Sequence, residues 1–78
     1  MNQSAVSKDI QNPQFRYSLK ARIIETGHKS LTDFSKATGI NLPIISSIVS
    51  GWQFPGPNYQ KRMARCLGIT LRELKELL

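Results

Sequence analysis

The sequence predicts an all-α fold, a compact bundle of about five short helices, and three observations carry that expectation. Apolar residues recur every three or four positions along most of the chain, the period of an amphipathic helix. Single glycines (Gly27, Gly39, Gly51 and Gly68) stand where each apolar stripe runs out, as residues that end a helix do. No segment alternates with period two, and β-branched residues nowhere cluster into a strand. With 78 residues, the chain is one small domain at most, and its core must be compact.

Residues 1–14 are polar and lack periodicity, so they read as a flexible arm ahead of a domain spanning residues 15–78. Lys8 is the one cation on that arm, suited to a phosphate or simply solvated. Phe15–Thr26 is the first expected helix: Phe15, Leu19 and Ile23 fall at i, i+4 and i+8, with Arg16, Lys20 and Arg22 off that strip, facing water or a partner. Gly27 ends it. Further on, the run from Trp52 to Pro57 reads as a loop by its glycine and prolines. Pro57 and Asn58 then open a fourth helix, with Tyr59, Met63, Cys66 and Leu67 on one side and Lys61, Arg62 and Arg65 on the other. Gly68 closes it. Thr70 and Glu73 form a capping box for a fifth helix carrying Leu71, Leu74 and Leu77 or Leu78.

Between these lies Ser30–Gly51, the stretch the rest serves. Ser30 is a good N-cap, and Asp33 three residues on makes a looser version of the capping box. Leu31, Phe34 and Ala37 give the second helix an apolar face, and Gly39 stops it. Ile40 is a lone apolar residue in the turn, placed to pin two helices together. Asn41 caps the third helix, and Pro43 sits in its first turn, where a missing N–H costs nothing. Ile45 and Ile48 form its buried stripe, and Gly51 ends it. Two helices around a short glycine-containing turn make a helix-turn-helix unit.

Composition narrows the function. One cysteine, Cys66, allows no internal disulfide and no thiol metal site. The chain's first residues carry no apolar h-region, and no run is long enough to span a bilayer, so the expected location is cytoplasmic. Eleven Lys and Arg against five Asp and Glu give a formal charge of +6, which attracts polyanions in a salt-dependent way. Catalysis is not expected. His28 is the only histidine, reads as a surface residue and has no second group at acid–base spacing. Asp33 and Glu73 are explained as caps, Cys66 as a small core residue, and the glycines fall singly rather than in a phosphate loop. No cofactor, metal or small-molecule ligand is expected.

Ala37-Thr38-Gly39-Ile40-Asn41, then Ile45-Ser46, Ile48, Gly51 and Pro55, resemble the lambda-repressor-like helix-turn-helix family of Cro/repressor type. The segment Met63–Leu74 is similar to that family's fourth helix and its join to the fifth, so the likeness covers about Phe15 to Leu74. The resemblance implies a bacterial or phage transcriptional regulator, a repressor that occupies an operator in double-stranded DNA. It implies that Leu42, Pro43, Ile44 and Ser47 face bases. Ser30, Thr32, Ser50, Gln53, Asn58 and Lys61 would position the phosphate backbone, with Lys29 and Arg16 adding positive field. It also implies a homodimer formed near the last helix, where half-sites lie about one turn of duplex apart.

The chain departs from the family at the reading surface. Leu42, Pro43 and Ile44 cannot hydrogen-bond base edges, and Leu31 stands where a phosphate-contacting Gln is common. Apolar side chains can touch thymine methyls and Ser47 can bond either type of base edge, so readout is thin: a good bidentate contact is worth about 1–3 kcal/mol, and no Arg, Gln or Asn lies on the exposed part of this helix. Weak specificity and steep salt dependence follow. The same Leu42-Pro43-Ile44 patch feeds a second reading, a protein-interaction module that docks a partner there. Trp52 is either a lid on the core or an exposed anchor, and the lid is the favoured expectation, because aromatics are mostly placed for burial.

Overall fold

A computed structural model describes residues 14–78; most of the expected arm, with Lys8, lies outside the described residues. The described chain is all-helical: α1 (Tyr17–Glu25), α2 (Leu31–Thr38), α3 (Leu42–Ser50), α4 (Pro57–Leu67) and α5 (Leu71–Leu77), with no strand among the described residues. No helix among them is long and apolar enough to cross a membrane.

The first helix is shorter than its apolar strip predicts. Arg16 has φ −89° and ψ 77°, outside the helical region, and its N–H donates to the Val49 carbonyl at 2.8 Å. Phe15 therefore precedes the helix and packs half-buried against the core. At the start of α2 the Ser30 hydroxyl accepts from the Asp33 N–H at 3.2 Å, but only this half of the capping box forms. Asp is one methylene shorter than the Glu that a full box prefers. The full box does form at α5, where the Thr70 hydroxyl accepts from the Glu73 N–H at 3.1 Å and Glu73 Oε1 from the Thr70 N–H at 2.9 Å. Asn41 occupies the cap position of α3 but makes no side-chain cap bond, so the expected cap there is corrected.

The connection between α2 and α3 is three residues long and tightly bonded. Gly39 takes φ 75°, the left-handed conformation glycine adopts without strain, and its N–H returns to the Ser35 carbonyl at 2.9 Å. Thr38 is buried, and its hydroxyl donates to the Phe34 carbonyl at 3.0 Å while accepting from the Ile40 N–H at 3.2 Å. Ser35 donates to the Ile40 carbonyl at 2.5 Å. Ile40 itself is only 2 % exposed and does pin the two helices.

The helices pack in a closed cycle: α1 on α3, α3 on α2, α2 on α4, α4 on α5, and α5 back on α1. Each contributes to one core, with Leu19 and Ile23 from α1, Phe34 from α2, Ile45, Ile48 and Val49 from α3, Met63, Ala64 and Leu67 from α4, and Leu74 from α5. Burying such side chains fully contributes roughly 1.5–3 kcal/mol each. Leu71, expected to join them, is 39 % exposed, while Leu77 and Leu78 are half-buried. Tyr59 and Cys66 are half-buried at the edge of the core.

Candidate nucleic-acid interface

The outward side of α3 is built by exclusion. Ile45, Ile48 and Val49 face α1 and α2, so Leu42, Pro43 and Ser46 are left exposed at the helix start. Ser47 and Ser50 are half-buried along the flank. Ile44 was expected to stand free, and it instead packs half-buried against the core. Three consecutive apolar residues cannot all avoid a small core, and the one nearest the stripe is drawn in. Of the four expected base-facing residues, Leu42 (39 % exposed) and Pro43 are open, Ser47 is half-open and Ile44 is partly withdrawn.

Leu31 is half-buried and packs on the core. That contact explains a leucine at a position where the resemblance implied a polar phosphate ligand. Ser30 and Thr32 are exposed, but the Ser30 hydroxyl is already engaged by Asp33, whose carboxylate lies in the first turn of α2. A negative charge there offsets the positive end of the helix dipole and disfavours a phosphate at the same spot. The starts of α3 and α4 differ. Neither has a side-chain cap bond or an acidic residue in its first turn. Pro43 lacks an N–H, however, and the Ile44 N–H donates to the Asn41 carbonyl at 3.0 Å, so α3 offers an anion only the Leu42 N–H while α4 offers those of Asn58 and Tyr59. Asn58 and Lys61 are exposed in the first turns of α4.

The loop after α3 is tied back to it. The N–H groups of Trp52 and Gln53 both donate to the Ser47 carbonyl, at 2.9 and 3.2 Å. Gln53 is thereby brought beside Ser47, as a shared site requires. Pro55 is buried, and its carbonyl accepts from the buried Gln60 side chain at 2.8 Å. Gln60 was missed in the sequence, because a glutamine beside charged residues reads as surface until the loop carbonyl it serves is known. Trp52 is not a lid. It is 68 % exposed and Phe54 is 61 % exposed, since Pro55 fills the place beneath the loop.

Arg16 is corrected in role. Its guanidinium donates to the chain's own carbonyls rather than facing water or a partner. His28 is also not a plain surface residue: its ring stands edge-on to Phe34, centroids 5.0 Å apart, with Nε2 3.3 Å from the Cys66 carbonyl. Lys29, Lys36, Lys61, Arg62 and Arg65 are exposed, and the one ion pair among the described residues is Arg22 with Glu25 on α1, at 3.8 Å. The positive charge of α4, with Lys61, Arg62 and Arg65 and no acidic residue, is therefore uncompensated on its own helix, whereas on α2 Asp33 balances Lys36. Among the described residues no three His, Cys, Asp or Glu side chains come together to hold a metal ion. A cleft of about 420 Å³ lies away from α3's exposed start, between Gln14–Ser18 and Glu76–Leu78. No protein-family model matches the chain, and neither does any curated protein or solved structure.

Proposed function

We propose that this protein is a non-enzymatic DNA-binding transcriptional regulator, a repressor, in which α2 and α3 act as a helix-turn-helix of the lambda-repressor-like kind and α3 enters the major groove. The observation that carries the reading is the start of α3: an uncapped helix terminus with Leu42, Pro43 and Ser46 exposed, while the rest of the helix is held from behind by α1 and α2. In such a unit the leading residues of the second helix meet base edges. Leu42 and Pro43 would touch thymine methyls and Ser47 would supply the one adaptable hydrogen bond. Phosphates would be taken by the leading N–H groups of α4 together with Asn58, Lys61 and Gln53, and Lys29 would add field. Ser30 and Thr32 are weaker phosphate ligands than the resemblance implied, because Asp33 stands beside them. Leu71, exposed on α5, supports self-association there, which sedimentation at micromolar concentration tests.

Binding to random and selected duplexes across a salt series is the decisive measurement. Lys61→Ala should weaken binding to all sequences alike and lower the salt slope by about 0.9, the value of one phosphate contact. Ser47→Ala should leave the slope unchanged and relax sequence preference. A protein that retains no duplex even in dilute buffer ends this reading.

A second reading rests on Trp52 and Phe54, two exposed aromatics on one short loop. Exposed tryptophan is enriched where proteins dock, and in that case the loop and Leu42 would meet a protein partner. Trp52→Ala would then abolish partner capture without changing any residual affinity for duplex.

A further inference from the structure

Arg16 makes three side-chain hydrogen bonds, each to a residue more than thirty positions away in the chain. Its Nε donates to the Leu78 carbonyl at 3.2 Å, and Nη1 donates to the carbonyls of Ile48 at 2.5 Å and Gln53 at 3.0 Å. The guanidinium carbon lies 5.8 Å from the centroid of the Phe54 ring, a cation–π arrangement. With the backbone bond from its own N–H to Val49, one residue joins the approach to α1, the last turn of α3, the following loop and the end of α5.

We infer that Arg16 is a positioning residue: it locks the loop carrying Trp52, Gln53 and Phe54 onto the end of α3 and does not itself contact nucleic acid. Its consequence for duplex binding rests on the function proposed above; its effect on the loop does not. Two arguments lead here. An arginine binds a phosphate best through two parallel N–H donors on one edge of the guanidinium. In Arg16 the Nε donor and both Nη1 donors are engaged, so each edge that includes Nη2 lacks its second donor. The end of α3 also favours a cation, because its dipole is negative there and its last turn holds no basic residue. Arg16 supplies that charge from another element and bonds the carbonyls of Ile48 and Gln53 with one nitrogen, the Ile48 carbonyl accepting from the Gly51 N–H as well. Lysine could offer the charge but not the planar fork that reaches three carbonyls.

The test uses Arg16→Lys and Arg16→Met in the full chain. Amide hydrogen exchange is read at Trp52 and Gln53, which report the loop, and at Phe34 and Leu74, which report the core. In Arg16→Lys the two loop amides should exchange about tenfold faster, the change expected from losing one charge-assisted hydrogen bond, while Phe34 and Leu74 stay as in the wild type. Affinity for a selected duplex should fall with the salt slope unchanged. Loop exchange at the wild-type rate in Arg16→Lys, or an equal acceleration of all four amides, overturns the inference. So does a wild-type affinity in Arg16→Lys combined with a slope lowered by about 0.9 in Arg16→Met, the signature of a phosphate contact. If Arg16→Met does not fold, the lysine variant alone decides through the loop amides. If the wild-type protein binds no duplex, the proposed function fails while the exchange data still judge Arg16.

Discussion

Gly51→Ala probes the closest backbone approach at the end of α3. Gly51 has φ 91°, and a Cβ built on it would overlap the Gln14 carbonyl group, whose carbon would lie 2.8 Å away. Two costs should therefore add. The left-handed conformation costs an alanine roughly 1–2 kcal/mol, less about 0.4–1 kcal/mol returned by the stiffer unfolded chain. Gly68→Ala measures that part alone, because Gly68 has φ 69° and nothing within 4 Å of its added Cβ. At Gly51 the Gln14 backbone must also withdraw, which strains the Arg16 N–H bond to Val49 and the packing of Phe15. Losing such a bond costs about 0.5–1.5 kcal/mol, and the retreat of Phe15 adds to it. Gly51→Ala should thus be roughly 1–3 kcal/mol less stable than Gly68→Ala, melting on the order of 5–20 °C below it in a domain of this size. Thermal and urea unfolding followed by circular dichroism give both numbers. Equal stability of the two variants would refute the reasoning, and would mean that residues 14–16 do not grip the end of α3.

The remaining expectations concern the turn and the last helix. Thr38→Val keeps the shape of the buried side chain but leaves the Ile40 N–H without its acceptor, at a cost of about 1–3 kcal/mol in urea unfolding. Thr38→Ser, which keeps the hydroxyl, should avoid most of that loss, and a fully stable Thr38→Val would mean the hydroxyl is idle. Glu73 is held below the usual carboxylate range, first by the Thr70 backbone N–H, then by the Thr70 hydroxyl and, least, by the charge of Arg22. Its ionised form favours the fold, so that stabilisation is complete above the unfolded-state value of about 4.3 and disappears as pH falls through the lower folded-state value. The gap in melting temperature between wild type and Glu73→Gln should accordingly close on acidification below about pH 4, and a gap independent of pH would refute the assignment.

Much of the architecture can be read in the chain because its signals are local. Caps and stops act within a few residues, so Ser30, Thr70 with Glu73, and the glycines at 39, 51 and 68 mark helix ends that the structure reproduces. Heptad-scale spacing likewise singles out Leu19, Ile23, Phe34, Ile45, Ile48 and Leu74 as core. What escaped the reading depends on partners far away in sequence. Gln60 is buried because Pro55 presents a carbonyl to it, and Ile44 is half-buried because the apolar stripe of α3 is wider than two isoleucines. Trp52 was misjudged for the opposite reason: hydrophobic content predicts burial only when the backbone can turn the ring inward. The bonds from Trp52 and Gln53 to Ser47 fix the loop with Pro55 inside and Trp52 outside.

Arg16 shows the same limit at the candidate site, and in a form that changes the chemistry assigned to it. A cation beside an apolar strip has the same sequence signature whether it reaches for a phosphate or for the chain's own carbonyls. What separates the two is the supply of acceptors within reach, and here the end of α3 supplies the Ile48 carbonyl while the loop supplies that of Gln53. Arg16 keeps its charge and still adds field, but with its donors engaged the direct phosphate contacts of the proposed interface shift toward α4, where Lys61 is exposed and forms no ion pair among the described residues. Asp33 pushes in the same direction by occupying the start of α2. Both observations place the direct phosphate contacts of the proposed interface on the start of α4. Lys61→Ala should therefore weaken duplex binding more than Lys29→Ala or Thr32→Ala, and the reverse order would return the phosphate contact to α2.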